Sequence, residues 1–234
     1  MIARYAARED FPRSGAEPTL SIIARFRQAA RSMRLPIGHY TGRMLRCAIT
    51  NGSYSMGDAR RWAQDGVDYI QLREKKMNAA ELIGLARTIL ADIAAVPLAK
   101  TRLLINGRPD VALAAGAAGV HLTSHPDELT PEEVRTIYSV SKDDEPVISV
   151  SCHTLDEVRR AHEARVDLIL FGPVFEKRVA RQLIQDGRGL KALEAACRAA
   201  EGTPVLALGG ITLENTAACL AAGAAGIAAI RLFA

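Results

Sequence analysis

From residue 45 onward the chain alternates between two hydrophobic periods. Short aliphatic and β-branched runs are separated by Ala- and Leu-rich stretches in which apolar positions recur every three to four residues. The runs LRCAIT (45–50), VDYIQL (67–72), RLLIN (102–106), GVHL (119–122), PVISVS (146–151), VDLILF (166–171), PVLAL (204–208) and GIAAI (226–230) predict eight strands. Helices are predicted between them over 56–65, 78–95, 109–116, 131–140, 154–164, 188–201 and 212–222. Pro131 suits a first helical turn behind Thr130, and Thr154 and Thr212 are placed to cap the helices they precede.

Strands that are apolar on both faces belong in a parallel sheet covered on each side, so eight strand–helix units predict an α/β fold of the (β/α)8 TIM-barrel type. An internal echo favours this closed barrel over a doubly wound open sheet. LAAGAAGV at 113–120 returns as LAAGAAGI at 220–227, 107 residues on, and VDYI at 67 returns loosely as VDLI at 166, 99 residues on. In both cases the partners lie four units apart, as in two similar half-barrels. The pattern leaves the eighth strand without a helix after it. Upstream, Ile22, Ile23, Phe26, Ala29, Ala30 and Met33 recur at helical spacing, with Arg25, Arg27, Arg31 and Arg34 largely on the other side. Two domains are therefore expected, an N-terminal extension over 1–44 with one amphipathic helix and a barrel over 45–234. That helix either stands in for the missing outer helix or belongs to an extension with no part in the barrel.

Charge changes this picture only at the N-terminus. The formal net charge is +4, but residues 1–46 hold nine arginines and three acids, which leaves 21 of the 30 bases against 23 of the 26 acids in the rest. A slightly acidic body with 5% aromatic residues is a poor nucleic-acid surface. No apolar run approaches the roughly 18 residues of a membrane span, and no secretory signal is evident, so a cytoplasmic protein is expected. Cys47, Cys152, Cys197 and Cys219 lie far apart without metal-ligand spacing and are expected as free, buried thiols.

In a barrel of this kind the chemistry gathers where the strands end. The stretch YIQLREKKM (69–77) carries Gln71, Arg73 and Lys75 at alternate positions, so that an amide, a guanidinium and an ammonium can enter one pocket. That set suits a phosphate or diphosphate; the alternative is a charged cap on a strand end. Glu74 and Lys76 are expected to face solvent. Further strand ends bring Asn106 and Gly107, His121, Ser151 and His153, then Glu176, Lys177, Arg178 and Arg181, and finally Gly209 and Gly210. Paired glycines let backbone N–H groups approach a phosphate ahead of the helix starting near Thr212, although tight turns use them too.

The motifs YIQLREK, LLINGRPDVALAAGAAGVHL, VSCHTLDEV, DLILFGPVF and LALGGI resemble, in order and spacing, the thiamine phosphate synthase family with its TenI-like thiazole tautomerase branch, over about residues 45–231. The resemblance implies a (β/α)8 barrel that joins hydroxymethylpyrimidine diphosphate to a thiazole phosphate, giving thiamine phosphate and diphosphate. It implies diphosphate and pyrimidine contacts at Gln71, Arg73, Lys75 and Asn106, a diphosphate-holding serine at Ser151, and thiazole phosphate beside Gly209 and Gly210. Arg73, Lys75 and Ser151 are the expected catalytic residues. Gln71, Asn106, His121, His153, Lys177, Gly209 and Gly210 are the expected substrate-binding residues, and no metal ligand is assigned.

Mg2+ is implied by the family, which holds it through an aspartate after the strand-three asparagine and another shortly after the strand-four histidine. Gly107 and Pro126 stand at those places here, with Asp127 one residue late. The family's threonine-rich stretch after GPVF is replaced by EKRVAR, whose Lys177, Arg178 and Arg181 either neutralise a diphosphate directly or form a solvated loop. NGR (106–108) and DGRG (186–189) resemble the tautomerase branch, yet Pro173 occupies the place of that branch's acid/base histidine. His121, His153 and Glu176 remain as substitutes, although His153 also suits a loop or cap role and His121 a core one; His39, His125 and His162 read as surface residues. Three functions are left open: a transferase, a thiazole phosphate tautomerase, or a non-catalytic binder of a phosphorylated precursor. Small phosphorylated molecules are the expected partners, with no nucleic acid or membrane, and a homodimer stays open as the assembly.

Overall fold

A computed structural model describes residues 43–233 apart from 53, 126, 142–144 and 180–181. Eight parallel strands close into a barrel: β1 (Leu45–Ile49), β2 (Tyr69–Leu72), β3 (Arg102–Asn106), β4 (Gly119–Thr123), β5 (Val147–Cys152), β6 (Leu168–Phe171), β9 (Val205–Leu208) and β10 (Gly226–Ala229). They follow one another around the ring, and β10 returns to pair with β1, Cys47 lying beside Ala228. The outer layer holds α1 (Asp58–Gln64), α2 (Ala79–Ala94), α3 (Pro109–Ala115), α4 (Pro131–Ser141), α5 (Leu155–Glu163), α6 (Gly189–Ala199) and α7 (Leu213–Ala221). Between β6 and α6 the chain makes an antiparallel hairpin of β7 (Lys177–Val179) and β8 (Gln182–Gln185), which the loop expected there did not foresee.

Alternate strand residues build two cores. Those pointing outward, including Ile70, Leu72, Leu103, Ile105, Ile148 and Ile169, pack beneath the helices, and those pointing inward, including Cys47, Ile49, Leu168, Leu170 and Leu206, fill the barrel. Local signals set the helix starts. Thr154 Oγ1 accepts from the amide of Glu157 and Thr212 Oγ1 from that of Asn215, each completing a reciprocal capping box, and Asn78 does the same with Glu81. Thr130 likewise caps α4, accepting from the Glu133 amide. No helix follows β10 among the described residues. Phe233 is buried there instead, and its carbonyl accepts from Trp62 Nε1 (2.7 Å) and from the Arg61 guanidinium (3.1 Å) on α1. The predicted helix at 22–33, and with it the extension over 1–44 as far as residue 42, lies outside the described residues.

The sequence echo corresponds to a two-fold repetition of contacts. Asp68 opens β2 and accepts from the Arg46 amide of β1 (2.9 Å), while Asp167, just ahead of β6, accepts from the Ile148 amide of β5 (2.8 Å). Gly119 in β4 and Gly226 in β10 hold equivalent places. A Cβ on Gly119 would sit 1.9 Å from the Val147 carbonyl oxygen, and one on Gly226 would sit 1.9 Å from that of Leu45. Neither backbone oxygen can withdraw without breaking a strand pair, so both sites exclude any side chain.

We therefore expect Gly119→Ala and Gly226→Ala each to destabilise the protein by at least about 3 kcal/mol in urea unfolding. Gly84→Ala, in α2 where a Cβ meets nothing within 4 Å, is expected to stabilise by up to about 1 kcal/mol. Equal effects at all three positions would refute the packing argument.

Candidate active site

Every barrel strand points the same way, so the residues following β2, β5 and β9 lie at one mouth of the barrel. Four adjacent strands deliver its polar floor. Asn106 of β3 pairs with His121 of β4, which pairs with Ser149 of β5, and Ser151 lies one inward step nearer the mouth beside Thr123. Gln71 of β2 reaches across to the same face, Nε2 donating to Asn106 Oδ1 at 2.9 Å. The other amide oxygen, Oε1 of Gln71, is buried without a partner among the described residues. An acceptor left in that state is costly unless something at the mouth donates to it.

Arg73 and Lys75 continue the strand beyond Gln71. The Arg73 amide donates to Thr50 Oγ1 (2.9 Å) and its guanidinium to Asn51 Oδ1 (2.8 Å), which ties the end of β2 to the loop after β1. Glu74, expected in solvent, is half-buried and accepts from the Gly52 amide at 2.7 Å; Lys76 is exposed. Together Arg73, Glu74, Lys75, Asn106 and Arg108 line a cleft of about 160 Å³ at the rim, over Leu72 and Leu82 of the outward-facing core. Arg108 is engaged in a two-pronged pair with the Asp110 carboxylate (2.8 and 2.6 Å), whereas Arg73 holds only the neutral Asn51 amide and keeps its charge, with that of Lys75, for a ligand. A larger hollow of about 290 Å³ lies in the helix layer between α4 and α5, over Leu122 and Val150, which face away from the barrel interior.

His121 is buried, with Nδ1 2.8 Å from Ser149 Oγ and Nε2 2.8 Å from Ser151 Oγ. Burial, with the nearby Arg73 charge adding to it, pushes the imidazole down from 6.5 to about 3, so the ring is neutral at physiological pH. It meets the mouth through Ser151. His153 is placed otherwise, its Nδ1 donating to the Gly172 carbonyl (2.5 Å) and its amide donating to Glu157, so it fastens the loops after β5 and β6 together.

Across the mouth Gly209 and Gly210 have φ of 93° and 64°, where a glycine is favoured. A Cβ on Gly209 would lie 2.6 Å from Cβ of Pro173, and one on Gly210 would lie 2.7 Å from Cβ of Phe175. The two glycines thus let the loop after β6 lie against the loop after β9, where Val174 and Phe175 amides donate to the Leu208 and Gly209 carbonyls. Asn215 holds the Gly210 carbonyl at 2.8 Å, just ahead of α7, whose N-terminus opens on this mouth. Lys177 and Arg178 open β7 of the hairpin, and Arg181 lies outside the described residues.

Mg2+ takes oxygen from one or two carboxylates besides a substrate's phosphates. Among the described residues Glu74 and Glu128 lie near the mouth, and each has one oxygen occupied by a backbone amide: Glu74 by Gly52, and Glu128 by Thr123 at 2.9 Å. Glu128 Oε1 comes 3.4 Å from where a Cβ on Gly107 would be, near the place of the family's missing aspartate. No group of three His, Cys, Asp or Glu among the described residues is arranged to hold a metal. What these two offer a Mg2+ is one further oxygen each, Oε1 of Glu74 being buried without a partner among the described residues, in place of the paired aspartates that the resemblance implies.

Sequence reasoning missed Thr50, Asn51, Glu128 and Ser149. Only Ser149 carried a signal, since it lies two residues before Ser151 and therefore on the same face of β5.

A barrel whose mouth collects two cations, an amide pair, a serine and a glycine turn at a helix start is built for small phosphorylated ligands. The model of the thiamine monophosphate synthase family matches residues 47–233, and the chain belongs to that family. It is 35% identical to the thiamine-phosphate synthase of Anaeromyxobacter dehalogenans, over 78% of this chain and 77% of that one. It is 40% identical to a putative thiamine-phosphate synthase of Geobacter sulfurreducens, over 70% and 72%. A solved thiamine phosphate pyrophosphorylase from Pyrococcus furiosus superposes with a TM-score of 0.65 at 25% identity, over 80% of this chain and 85% of that one.

The depressed His121 pKa sets a pH dependence. Between about 3 and 6.5 the unfolded chain binds a proton at this residue and the folded one does not, so its contribution to stability is complete above 6.5 and is lost as pH falls towards 3. We expect wild type to lose stability relative to His121→Gln by up to about 1.4 kcal/mol per pH unit in that window. Parallel stability–pH curves for the two proteins would contradict the buried neutral ring.

Proposed function

We propose that the protein is a thiamine-phosphate synthase, joining hydroxymethylpyrimidine diphosphate to a thiazole phosphate. The observation that carries this reading is the pairing of a cationic cleft at Arg73 and Lys75 with the buried, unpartnered Gln71 carbonyl beside Asn106. The cations suit a diphosphate, and the carbonyl suits the exocyclic amine of an aminopyrimidine. Glycine amides and the start of α7 across the mouth suit the phosphate of the second substrate.

The reaction then needs little from the protein beyond position and charge. The bond from the pyrimidine methylene to the diphosphate oxygen breaks, and diphosphate leaves with the electron pair. Arg73, Lys75 and the Ser151 hydroxyl stabilise the charge as it grows, while the pyrimidine carries the cation left behind. The thiazole nitrogen lone pair closes the new C–N bond, and no proton is transferred. A tautomerase would need an acid/base group at the mouth: His121 is buried between two serines, His153 is fastened to Gly172 and position 173 is proline, which leaves that second reading only the exposed Glu176 after β6.

Incubation with hydroxymethylpyrimidine diphosphate and thiazole phosphate is expected to yield thiamine phosphate. Arg73→Ala should lower kcat/KM by at least about 100-fold. Absence of product under all divalent-ion conditions, or an Arg73→Ala enzyme with unchanged turnover, would overturn the assignment.

A further inference from the structure

Ser149 is 1% exposed and its hydroxyl proton must go to an acceptor, because burying an unpaired hydroxyl is costly. Its one side-chain partner among the described residues is His121 Nδ1, at 2.8 Å. If Nδ1 carried the imidazole proton, Ser149 would be left with an undirected buried O–H, and the bare Nε2 would draw in the hydroxyl proton of Ser151. Ser151 would then present only lone pairs to the mouth. The opposite arrangement satisfies every group and turns the outer serine into a donor.

We propose that Ser149 and His121 are positioning residues that hold the Ser151 hydroxyl as a hydrogen-bond donor: Ser149 O–H donates to His121 Nδ1, His121 Nε2–H donates to Ser151 Oγ, and the Ser151 O–H is thereby directed out of the barrel towards an anion. The inference rests on the reading of this mouth as a diphosphate site, since only an anionic ligand benefits from a serine constrained to donate. It assigns a function to Ser149, which lies beneath the imidazole and touches no ligand. Neutrality of the ring is a precondition, because an imidazolium has no acceptor for Ser149; burial and the Arg73 charge both maintain it. The unit needs no proton transfer. It fixes a direction.

The test has a spectroscopic arm and a binding arm. In 15N-labelled protein, a long-range 1H–15N correlation reports which nitrogen of each of the five histidines is protonated, and His121→Gln identifies the relevant signal by its loss. The expected result at neutral pH is the Nε2–H form for wild type, preserved in Ser151→Ala and eroded in Ser149→Ala. Inorganic pyrophosphate, titrated as the probe, is expected to bind Ser149→Ala about tenfold more weakly than wild type, with native circular dichroism and a cooperative unfolding transition well above the assay conditions separating this from a folding defect. An Nδ1–H ring in wild type overturns the inference whatever the ligand does. An Nε2–H ring with pyrophosphate bound equally by wild type and Ser149→Ala overturns its functional part. Failure of wild type to bind pyrophosphate at all overturns the diphosphate reading beneath it, and with it the purpose assigned to the serine.

Discussion

Ring closure is the constraint on which the molecule depends. Eight short parallel strands of four to six residues must meet edge to edge, and at two places the backbones come so near that no side chain fits between them. Gly119 and Gly226 occupy those places, one in each half of the barrel, each flush against the first strand of the other half. Asp68 and Asp167 repeat the theme one residue further along the same strands, clamping the amides of β1 and β5. With the ring so fixed, strand direction alone delivers Gln71, Asn106, Ser151 and the glycine turn to a single rim.

Within that rim the division of labour follows burial. Groups nearest water, Arg73 and Lys75, carry permanent charge, and those a layer deeper, Gln71, Asn106, Ser149 and His121, are neutral and hydrogen-bonded to one another. Charge deeper in the barrel would have to be desolvated, and the depressed basicity of His121 registers that cost. An ionic reaction with a leaving diphosphate is well matched to such a gradient, since negative charge grows at the cationic lip while the neutral floor stays fixed.

Much of this was legible in the sequence because it depends on near-neighbour pattern. Strand and helix periods, threonine caps and the glycine echo are local signals, and the predicted elements lie within about two residues of the observed ones. The alternation of Gln71, Arg73 and Lys75 was readable for the same reason. What escaped depends on three-dimensional proximity. Glu74 looked solvent-facing because nothing nearby in sequence announces the Gly52 amide that receives it. Glu128 carried no signal at all, because only folding brings it beside Gly107. The hairpin of β7 and β8 escaped because a register-shifted ribbon of strands only three and four residues long has too few alternations to register as a period. Ser149 is the instructive middle case, on the page as a letter two places before Ser151 yet meaningful only once His121 stands between them.

The clasp between Trp62 and Phe233 joins residues 171 positions apart, and the pairing of β1 with β10 spans farther still, from Leu45 to Gly226. Synthesis runs from the N-terminus, so β1 emerges with one edge open and keeps it open until β10 has cleared the exit tunnel. Throughout synthesis the nascent half-barrel therefore carries an unsatisfied strand edge, and the cell must shield it from neighbouring chains until Phe233 arrives to shut the ring.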